Sequence, residues 1–397
     1  MATSTPPDST SPPAHIAGVL VVGGGYAGLH AARAVEQAGH PVTVLDRDST
    51  HDFVTRLAAV AAGNASASRA AHALDGFQPR TEIGSLSQIG DGTVTLDDGR
   101  VLTADAVIVS AGARPTQPPI DGIERALTLR SADDALAIRT ALDTATSLVV
   151  IGGGATGVQL AAAVAHRHPN MSVHLVEAGP RLLGPMGAAT GAGARRILES
   201  RGASVHLDTD VERITPTGVD IGQDSNGDTD GDSEGEASEG EADGGPAGGR
   251  HIAGLVVWAG GFEARADELG VDVTGDGRIL VDDDLRIVGM DKSFAAGDIA
   301  AHLDDDGTFL PMSAQIATQA GTAAGRNAAC LLAGTAMQQP KLVQRGWVLD
   351  LGGRRGLAEF GPIALTVPFA DLVPPILHDL IDLKTSFGMG GLQALRW

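Results

Sequence analysis

The chain has few of the side chains that carry redox or metal chemistry by themselves. Its single cysteine, Cys330, has no partner for a disulfide or for a C-x-x-C redox pair. No group of cysteines and histidines has the spacing of a zinc site, so no metal is predicted. Redox chemistry in this chain would therefore need a bound cofactor.

Basic charge and long apolar runs are also scarce. The 28 Lys and Arg residues face 49 Asp and Glu residues, and the formal net charge of −21 argues against a nucleic-acid partner. No stretch has 18 consecutive apolar residues, and the polar, proline-rich residues 1–15 resemble a disordered leader rather than a signal peptide. These features predict a cytoplasmic protein, with peripheral contact at the inner face of the cell membrane left open.

Glycine, in contrast, is abundant and recurs in the spacing G-x-G-x-x-G at two places. The first loop (residues 23–28) and the second loop (residues 152–157) each follow an apolar strand and precede an alanine-rich helix, predicted at 27–38 and 156–167. Such glycines allow a tight turn, a close approach of the backbone to a pyrophosphate, and close packing of helix on strand. The glycines in question are Gly23, Gly25 and Gly28, and Gly152, Gly154 and Gly157.

An acidic residue follows each loop at the end of the next strand. Asp46 lies 18 residues after Gly28, and Glu177 lies 20 residues after Gly157. A carboxylate in this place accepts hydrogen bonds from the hydroxyls of a ribose. Glu177 would also repel a 2′-phosphate, which favours NADH over NADPH, although Arg181 lies close in sequence. Two dinucleotide sites without redox thiols suggest that a hydride passes from NADH to FAD.

Between and after the loops the pattern alternates strands and helices. A hairpin turns at Asp98-Gly99, one strand is expected over residues 252–261, and residues 279–289 are strand-like. Residues 223–249 carry nine acidic side chains and no basic ones, which predicts a disordered hairpin loop. A metal-binding or partner-binding role for that loop is the alternative.

The motifs GGGYAG, VSAGARP, GGGATG, VVWAGG, FAAGD and SAQIATQAG follow one another in this order. The chain thereby resembles the flavoproteins with two dinucleotide-binding domains, specifically type II NADH dehydrogenases and their ferroptosis-suppressor-like relatives. The resemblance implies an α/β fold in which an FAD domain, residues 16–114 and 263–334, is split around an NAD domain, residues 115–262. It leaves a small C-terminal α+β region, residues 335–397, that either pairs two subunits or touches a membrane.

The resemblance also implies roles for individual residues. Asp46 would bind the adenosine ribose of FAD and Glu177 that of NADH, while Asp298 would bind the flavin's ribityl or pyrophosphate region. Gln315 and Gln319 match the family's A-Q-x-A-x-Q quinone signature and are the predicted catalytic residues. The remaining predicted cofactor contacts are Tyr26, Ala27, Arg56, Leu86, Gly112, Ala314 and the Gln315 backbone for FAD, and Thr156 and Gly260 for NADH.

The expected activity is an FAD-dependent transfer of electrons from NADH to a quinone or similar acceptor. Gln159 replaces a glutamate that many relatives carry near the nicotinamide, so proton delivery through that position is absent, and His302 is a further candidate near the flavin. Two alternatives remain open. Electrons could pass to a protein such as a ferredoxin, for which Arg354-Arg355 is the available basic pair, or the chain could sense NADH without turnover.

Overall fold

The computed structural model describes residues 13–77, 79–222 and 249–361, and the backbone of residues 363–365. Most of the predicted leader, residues 223–248 of the acidic loop and the end of the C-terminal region lie outside these ranges. The strands are, in chain order, β1 Ala14–Val22, β2 Val42–Asp46, β3 Thr50–Asp52, β4 Ala71–Ala73, β5 Arg80–Ile83, β6 Leu86–Gly90, β7 Thr93–Leu96, β8 Val101–Val109, β9 Arg114–Pro115, β10 Leu127–Thr128, β11 Ser147–Ile151, β12 Ser172–Val176, β13 Ser204–His206, β14 Val211–Thr215, β15 Gly218–Ile221, β16 Arg250–Ala253, β17 Leu255–Trp258, β18 Phe262–Glu263, β19 Ser293–Ala295, β20 Trp347–Asp350, β21 Gly356–Phe360 and β22 Ile363–Leu365. The α-helices are α1 Tyr26–Gln37, α2 Leu57–Ala61, α3 Ala132–Leu142, α4 Ala155–Arg167, α5 Ala188–Glu199 and α6 Ala314–Ala333.

The first sheet has the order β5-β2-β1-β8-β7-β6, and β19 pairs with the second half of β8. Its strands β5, β2, β1 and β8 are parallel, and α1 connects β1 to β2, which is the Rossmann arrangement. We call this sheet and its helices the first unit, and the sheet described next, with its helices, the second unit. The chain leaves the first unit after β8 and returns to it with β19 and α6. Helix α6 packs closely on α1, because a Cβ on Gly321 would lie 2.0 Å from the carbonyl oxygen of Ala27.

The second sheet is parallel throughout and has the order β10-β17-β11-β12-β13. The antiparallel strands β14, β15 and β16 form a smaller sheet, whose buried residues pack against one face of it. The two connections between the units, β9 and β18, pair with each other. The predicted α/β class with two Rossmann-type units is confirmed. The domain bounds near residues 114 and 262 stay a prediction; they fall at β9 and β18.

Three details of the sequence-based prediction were wrong. Ala14 and His15 belong to β1 rather than to a leader, because they pair with Leu102 and Thr103 of β8. The strand expected over residues 252–261 is two strands separated at Gly254, whose φ of +155° breaks the extended backbone. Residues 279–289 form isolated bridges rather than a strand.

The core of the second unit includes residues from outside it. Leu57 and Val60 of α2 are buried with the helices α3 and α4, although α2 follows the first loop in sequence. Leu349 and Leu357 of the C-terminal strands are buried in the same cluster. The side chain of Arg201 donates to the carbonyl oxygens of three residues, Ala162, Leu351 and Gly352, and so ties these strands to the second unit.

Buried histidines make the stability of this fold dependent on pH. Burial lowers the pKa of His30, His51 and His302 to about 4, so each is neutral in the folded chain, whereas the ordinary value is 6.5. The stability that each provides is complete above pH 6.5 and is lost as the pH falls from 6.5 towards 4. Burial raises the pKa of Asp52 to about 6, which stabilises the fold as the pH falls below 6 and offsets part of the loss.

We therefore expect the free energy of unfolding to decrease between pH 7 and pH 5. Each histidine should contribute a loss of about 2 kcal/mol, and the carboxyl groups of Asp46, Asp52 and Asp298, whose pKa values are raised by burial, should offset part of that loss. Chemical unfolding followed by circular dichroism at pH 7, 6 and 5 measures the change, and His30→Gln should make it smaller. A stability that is constant or rises on acidification would contradict this prediction.

Candidate functional site

The first loop forms a turn that only glycine allows at its ends. Gly23 has φ +107°, and a Cβ there would lie 2.3 Å from the carbonyl oxygen of Ser110. A Cβ on Gly28 would lie 1.7 Å from the carbonyl oxygen of Gly23, so α1 starts directly against the turn. In contrast, a Cβ on Gly25, the N-cap of α1, would meet nothing within 4 Å. The space in front of Gly25 is therefore open to a ligand.

The carboxylate of Asp46 fixes this loop from the end of β2. Its Oδ2 accepts the N–H of Gly24 at 2.5 Å, and its Oδ1 accepts the N–H of Asp48 at 2.9 Å. Burial raises the pKa of Asp46, and the two backbone hydrogen bonds oppose that rise. Asp46 thus lies at the end of β2 beside the first loop, and its contact with a ribose stays a prediction.

A cavity of about 600 Å³ extends from this loop into the first unit. Both Asp46 and Asp298 line it, as does Ala314 at the start of α6. The other predicted residues in its wall are Gly23, Gly25, Tyr26, Ala27, Leu86 and Gly112. The cavity therefore brings together most of the residues predicted to contact FAD.

Four residues predicted on the FAD side are not in the cavity wall: Gly28, which packs against the turn, and Arg56, Gln315 and Gln319. The guanidinium of Arg56 lies over the ring of Phe53, 5.0 Å from its centroid. Gln315 and Gln319 direct their amides to the segment of residues 343–346, named here the strap. Arg345 N–H donates to Oε1 of Gln315 at 2.5 Å, and Gln319 both donates to the carbonyl of Val343 at 3.0 Å and accepts its N–H at 3.2 Å.

Arg130 is a charged residue of the cavity that the sequence prediction missed. Its Nη2 lies 3.6 Å from Oδ2 of Asp298, its Nε donates to the carbonyl of Ala113 at 3.1 Å, and its guanidinium lies over the ring of Phe262. Burial raises the pKa of Asp298, and the nearby guanidinium of Arg130 opposes this. The sequence carries one signal for this region. Ser131 and Asp134 have the spacing of a capping box, which predicts a helix that begins just after Arg130.

His302 supports the backbone next to Asp298 and does not line the cavity. Its ring is buried, and the N–H of Gly297 donates to Nε2 at 3.1 Å. Because Nε2 accepts, the proton of the neutral ring lies on Nδ1, which has no partner among the described residues. The structure therefore gives His302 a contact with the backbone that precedes Asp298.

The second loop repeats the geometry of the first. Gly152 has φ +111°, and a Cβ on Gly157 would lie 1.9 Å from the carbonyl oxygen of Gly152. Oε2 of Glu177 accepts the N–H of Gly153 at 2.6 Å, as Asp46 does for Gly24, and Oε1 accepts the N–H of Gly179 at 2.8 Å. A Cβ on Gly154 would again meet nothing within 4 Å. The second loop therefore has the same opening for a ligand, with Thr156 in the first turn of α4.

Two further residues surround the second loop. The guanidinium of Arg181 donates to the carbonyl oxygens of Met186, at 2.5 Å, and Gly184, which holds it against its own segment. Gly260 follows β17, and a Cβ there would lie 2.3 Å from the indole of Trp258. The structure thus ties Arg181 to neighbouring backbone rather than leaving its cation to a phosphate, and explains Gly260 by close packing.

The residues present fit two dinucleotides. Each loop has an open N-cap glycine at a helix N-terminus, where N–H groups favour a pyrophosphate, and an acid at the end of the next strand. The first loop in addition opens into the large cavity with Arg130 and Asp298, which suits the larger, resident flavin nucleotide. These features define a protein with two nucleotide sites, the first of which opens into the cavity of about 600 Å³.

Residues 17–321 match the family model of the pyridine nucleotide-disulphide oxidoreductases, and the chain belongs to this family. It is 28% identical over 372 residues to an NADH dehydrogenase-like protein of Mycobacterium tuberculosis, with 84% of this chain and 85% of that protein covered. It is 24% identical to a type II NADH:quinone oxidoreductase of Staphylococcus aureus, covering 94% and 96%.

Among solved structures, NDH2 from Plasmodium falciparum in complex with NADH matches with a TM-score of 0.76 at 15% identity, covering 94% of this chain and 96% of that one. A ferredoxin reductase from Rhodopseudomonas palustris matches with a TM-score of 0.70 at 18% identity, covering 86% and 81%. These likenesses confirm the fold. The family match and the curated relatives confirm the prediction of an oxidoreductase that uses FAD and NADH.

Proposed function

We propose that this chain is an FAD-dependent NADH dehydrogenase that passes electrons to a quinone. The observation that carries the proposal is the pair of glycine loops, each held by an acid at its middle glycine. The curated relatives named NADH dehydrogenase-like and type II NADH:quinone oxidoreductase support the acceptor. Cys330 lies 16 residues after Ala314 in α6, about 24 Å along the helix axis, and takes no part.

The chain's own residues bind and orient the two nucleotides. The first loop, Asp46, Arg130 and Asp298 would hold FAD, which when bound accepts a hydride and releases electrons singly or in pairs. The second loop and Glu177 would hold NADH and bring its nicotinamide towards the cavity. The N-terminus of α6 faces the cavity at Ala314, where its dipole stabilises negative charge. Because the amide of Gln159 cannot exchange a proton, we assign this residue no role in proton transfer.

Anaerobic mixing tests this function directly. NADH added to the flavin-loaded protein should bleach the flavin absorption band, and a soluble quinone analogue should restore it. A band that NADH leaves unchanged would overturn the proposal. Comparing the rates of reoxidation by the quinone analogue and by a ferredoxin distinguishes the proposed acceptor from a protein partner, and no turnover with either would favour an NADH sensor.

We infer that Gln315 and Gln319 act in acceptor reduction by holding the strap at the start of α6. Their four side-chain hydrogen bonds to the strap backbone include the 3.4 Å contact from Gln315 to the carbonyl of Gly346. Ser313, the N-cap of α6, donates to Gln344 of the strap at 3.0 Å. The glutamines thus fix the strap beside α6, the helix whose first residue, Ala314, lines the cavity.

Replacing both glutamines by alanine should therefore affect the acceptor and spare NADH. Because about four hydrogen bonds of roughly 1 kcal/mol each are lost, the KM for a quinone analogue should rise at least about tenfold. The rate at which NADH reduces the flavin should stay within about twofold, since the second loop is untouched. Gln338→Ala, an exposed glutamine just before the strap, is the control. Equal losses in both half-reactions would contradict a role confined to the acceptor.

Among the residues that the structure describes, no helix is long and apolar enough to cross a membrane. The described C-terminal strands pack on the second unit through Leu349 and Leu357. Glu359 accepts the N–H of Gly187 at the start of α5, at 2.9 Å. Contact with a membrane or with a second subunit stays a proposal for the C-terminal region, residues 335–397, whose end lies outside the described residues.

A further inference from the structure

The carbonyl of the middle glycine in the first loop has an unusual hydrogen-bond donor. Nδ1 of His51, on β3, lies 2.9 Å from the carbonyl oxygen of Gly24. Because a carbonyl oxygen only accepts, Nδ1 carries the proton. The other ring nitrogen, Nε2, is buried and has no partner among the described residues. Among the described residues, the hydrogen bond to Gly24 is therefore the one that this buried imidazole makes.

The ring of His51 is held in one orientation by aromatic neighbours. Tyr26, Phe53 and Phe77 meet it edge to face, with centroids 4.9, 4.8 and 5.7 Å away. Burial lowers the pKa of His51 to about 4, so the ring is neutral at physiological pH and has a single N–H. That N–H is committed to Gly24.

This contact determines where a neighbouring donor points. Asp46 holds the N–H of Gly24, and His51 holds its carbonyl, so both sides of the residue are fixed. The peptide between Gly24 and Gly25 is trans, and its N–H is therefore directed opposite to the carbonyl that His51 binds. Gly25 lines the cavity and has open space in front of it. Fixing the carbonyl of Gly24 thus aims the N–H of Gly25 away from His51.

The second loop provides an internal comparison. The N–H of Gly153 is held by Glu177, and its carbonyl accepts the backbone N–H of Leu183 at 2.8 Å. A leucine also covers each middle glycine: Leu74 lies against Gly24 and Leu182 against Gly153. Both loops therefore have the same two anchors. They differ in that the carbonyl anchor of the first loop is a side chain, which mutation can remove.

We propose that His51 is a positioning residue for FAD, acting through Gly24 to direct the N–H of Gly25 at the pyrophosphate. The proposal rests on the proposed function only in that the first loop holds FAD. Without the Nδ1 donor Gly24 is held only through its N–H, so the peptide between Gly24 and Gly25 can tilt, and the anion loses a pre-oriented N–H at the start of α1.

Asparagine and leucine at position 51 separate hydrogen bonding from packing. The two side chains have nearly the same shape, but only the amide of asparagine places a donor near the position of Nδ1. The rate of FAD release is measured from the appearance of flavin fluorescence after dilution of each holoprotein. His51→Leu should release FAD at least about tenfold faster than the wild type, and His51→Asn should restore most of the difference. His72→Leu, which removes an imidazole from the same aromatic cluster, should stay within about twofold.

Equal release rates from His51→Asn and His51→Leu would overturn the proposal and leave His51 as a packing residue. If His51→Leu does not fold, His51→Gln replaces it, because its amide lies one atom further out, near the position of Nε2. If the His51→Gln variant retains FAD as well as the His51→Asn variant does, the proposal is also overturned. Neither NADH nor an acceptor enters this measurement, so failure of the proposed function would show separately, as a flavin that NADH does not reduce.

Discussion

Gly25→Ala is expected to yield a folded chain without FAD, and Gly154→Ala a chain that keeps FAD and reacts poorly with NADH. A Cβ at either position meets nothing within 4 Å of the protein. The backbone is also suitable for alanine, with φ −77° and ψ −169° at Gly25 and φ −73° and ψ −177° at Gly154. The added methyl group therefore conflicts only with a ligand that approaches the loop closely.

Flavin absorbance of the purified variants measures the first effect, and stopped-flow reduction by NADH measures the second. For Gly154→Ala the kcat/KM for NADH should fall by roughly 100-fold, since a displacement near 1 Å has effects of this size. Gly275→Ala is the control, because a Cβ there also meets open space but lies far from both loops in sequence. If Gly25→Ala retains FAD, or if both variants lose flavin alike, the assignment of the two loops is wrong.

Glu177→Ala should reduce both the use of NADH and the discrimination against NADPH. The carboxylate holds the N–H groups of Gly153 and Gly179, and on the proposed function it would also accept two ribose hydroxyls. Hydrogen bonds to a charged group contribute about 1.5–3 kcal/mol each, so the kcat/KM for NADH should fall by at least about 100-fold. Loss of the negative charge also removes the repulsion of a 2′-phosphate, and the ratio of NADH to NADPH activity should fall.

Steady-state kinetics with both nucleotides test this expectation, with the flavin content measured for each variant. Glu199→Ala, an exposed glutamate at the end of α5, should change neither nucleotide's kinetics. The first loop does not contact Glu177, so the flavin content should be that of the wild type. An unchanged preference for NADH after Glu177→Ala would show that a group other than this carboxylate selects the nucleotide.

The sequence was sufficient where the fold depends on local patterns. The helices that follow the loops begin within one residue of the prediction, because each glycine turn has to end in a helix N-terminus. Asp46 and Glu177 could be located because an acid at the end of the next strand has a fixed relation to the loop. The split of the first unit came from the resemblance, since nothing local to β19 or α6 indicates where they return.

What escaped prediction depends on contacts between distant segments. Arg130 reaches Asp298 across 168 positions, and His51 reaches Gly24 from a short strand that no periodicity indicates. The strand expected over residues 252–261 looked continuous because the sequence does not show that Gly254 adopts φ +155°. The strap likewise carries no motif, so the partners of Gln315 and Gln319 could not be inferred.

The shared core of the second unit has a consequence for synthesis on the ribosome. That core includes Leu57 and Val60, which are translated before the unit, and Leu349 and Leu357, which are translated long after it. Because translation adds about 5–20 residues per second, Leu357 leaves the ribosome roughly 5–20 s after residue 262. During that interval the apolar face that these leucines cover stays exposed, so a fragment of residues 115–262 made alone should aggregate rather than fold.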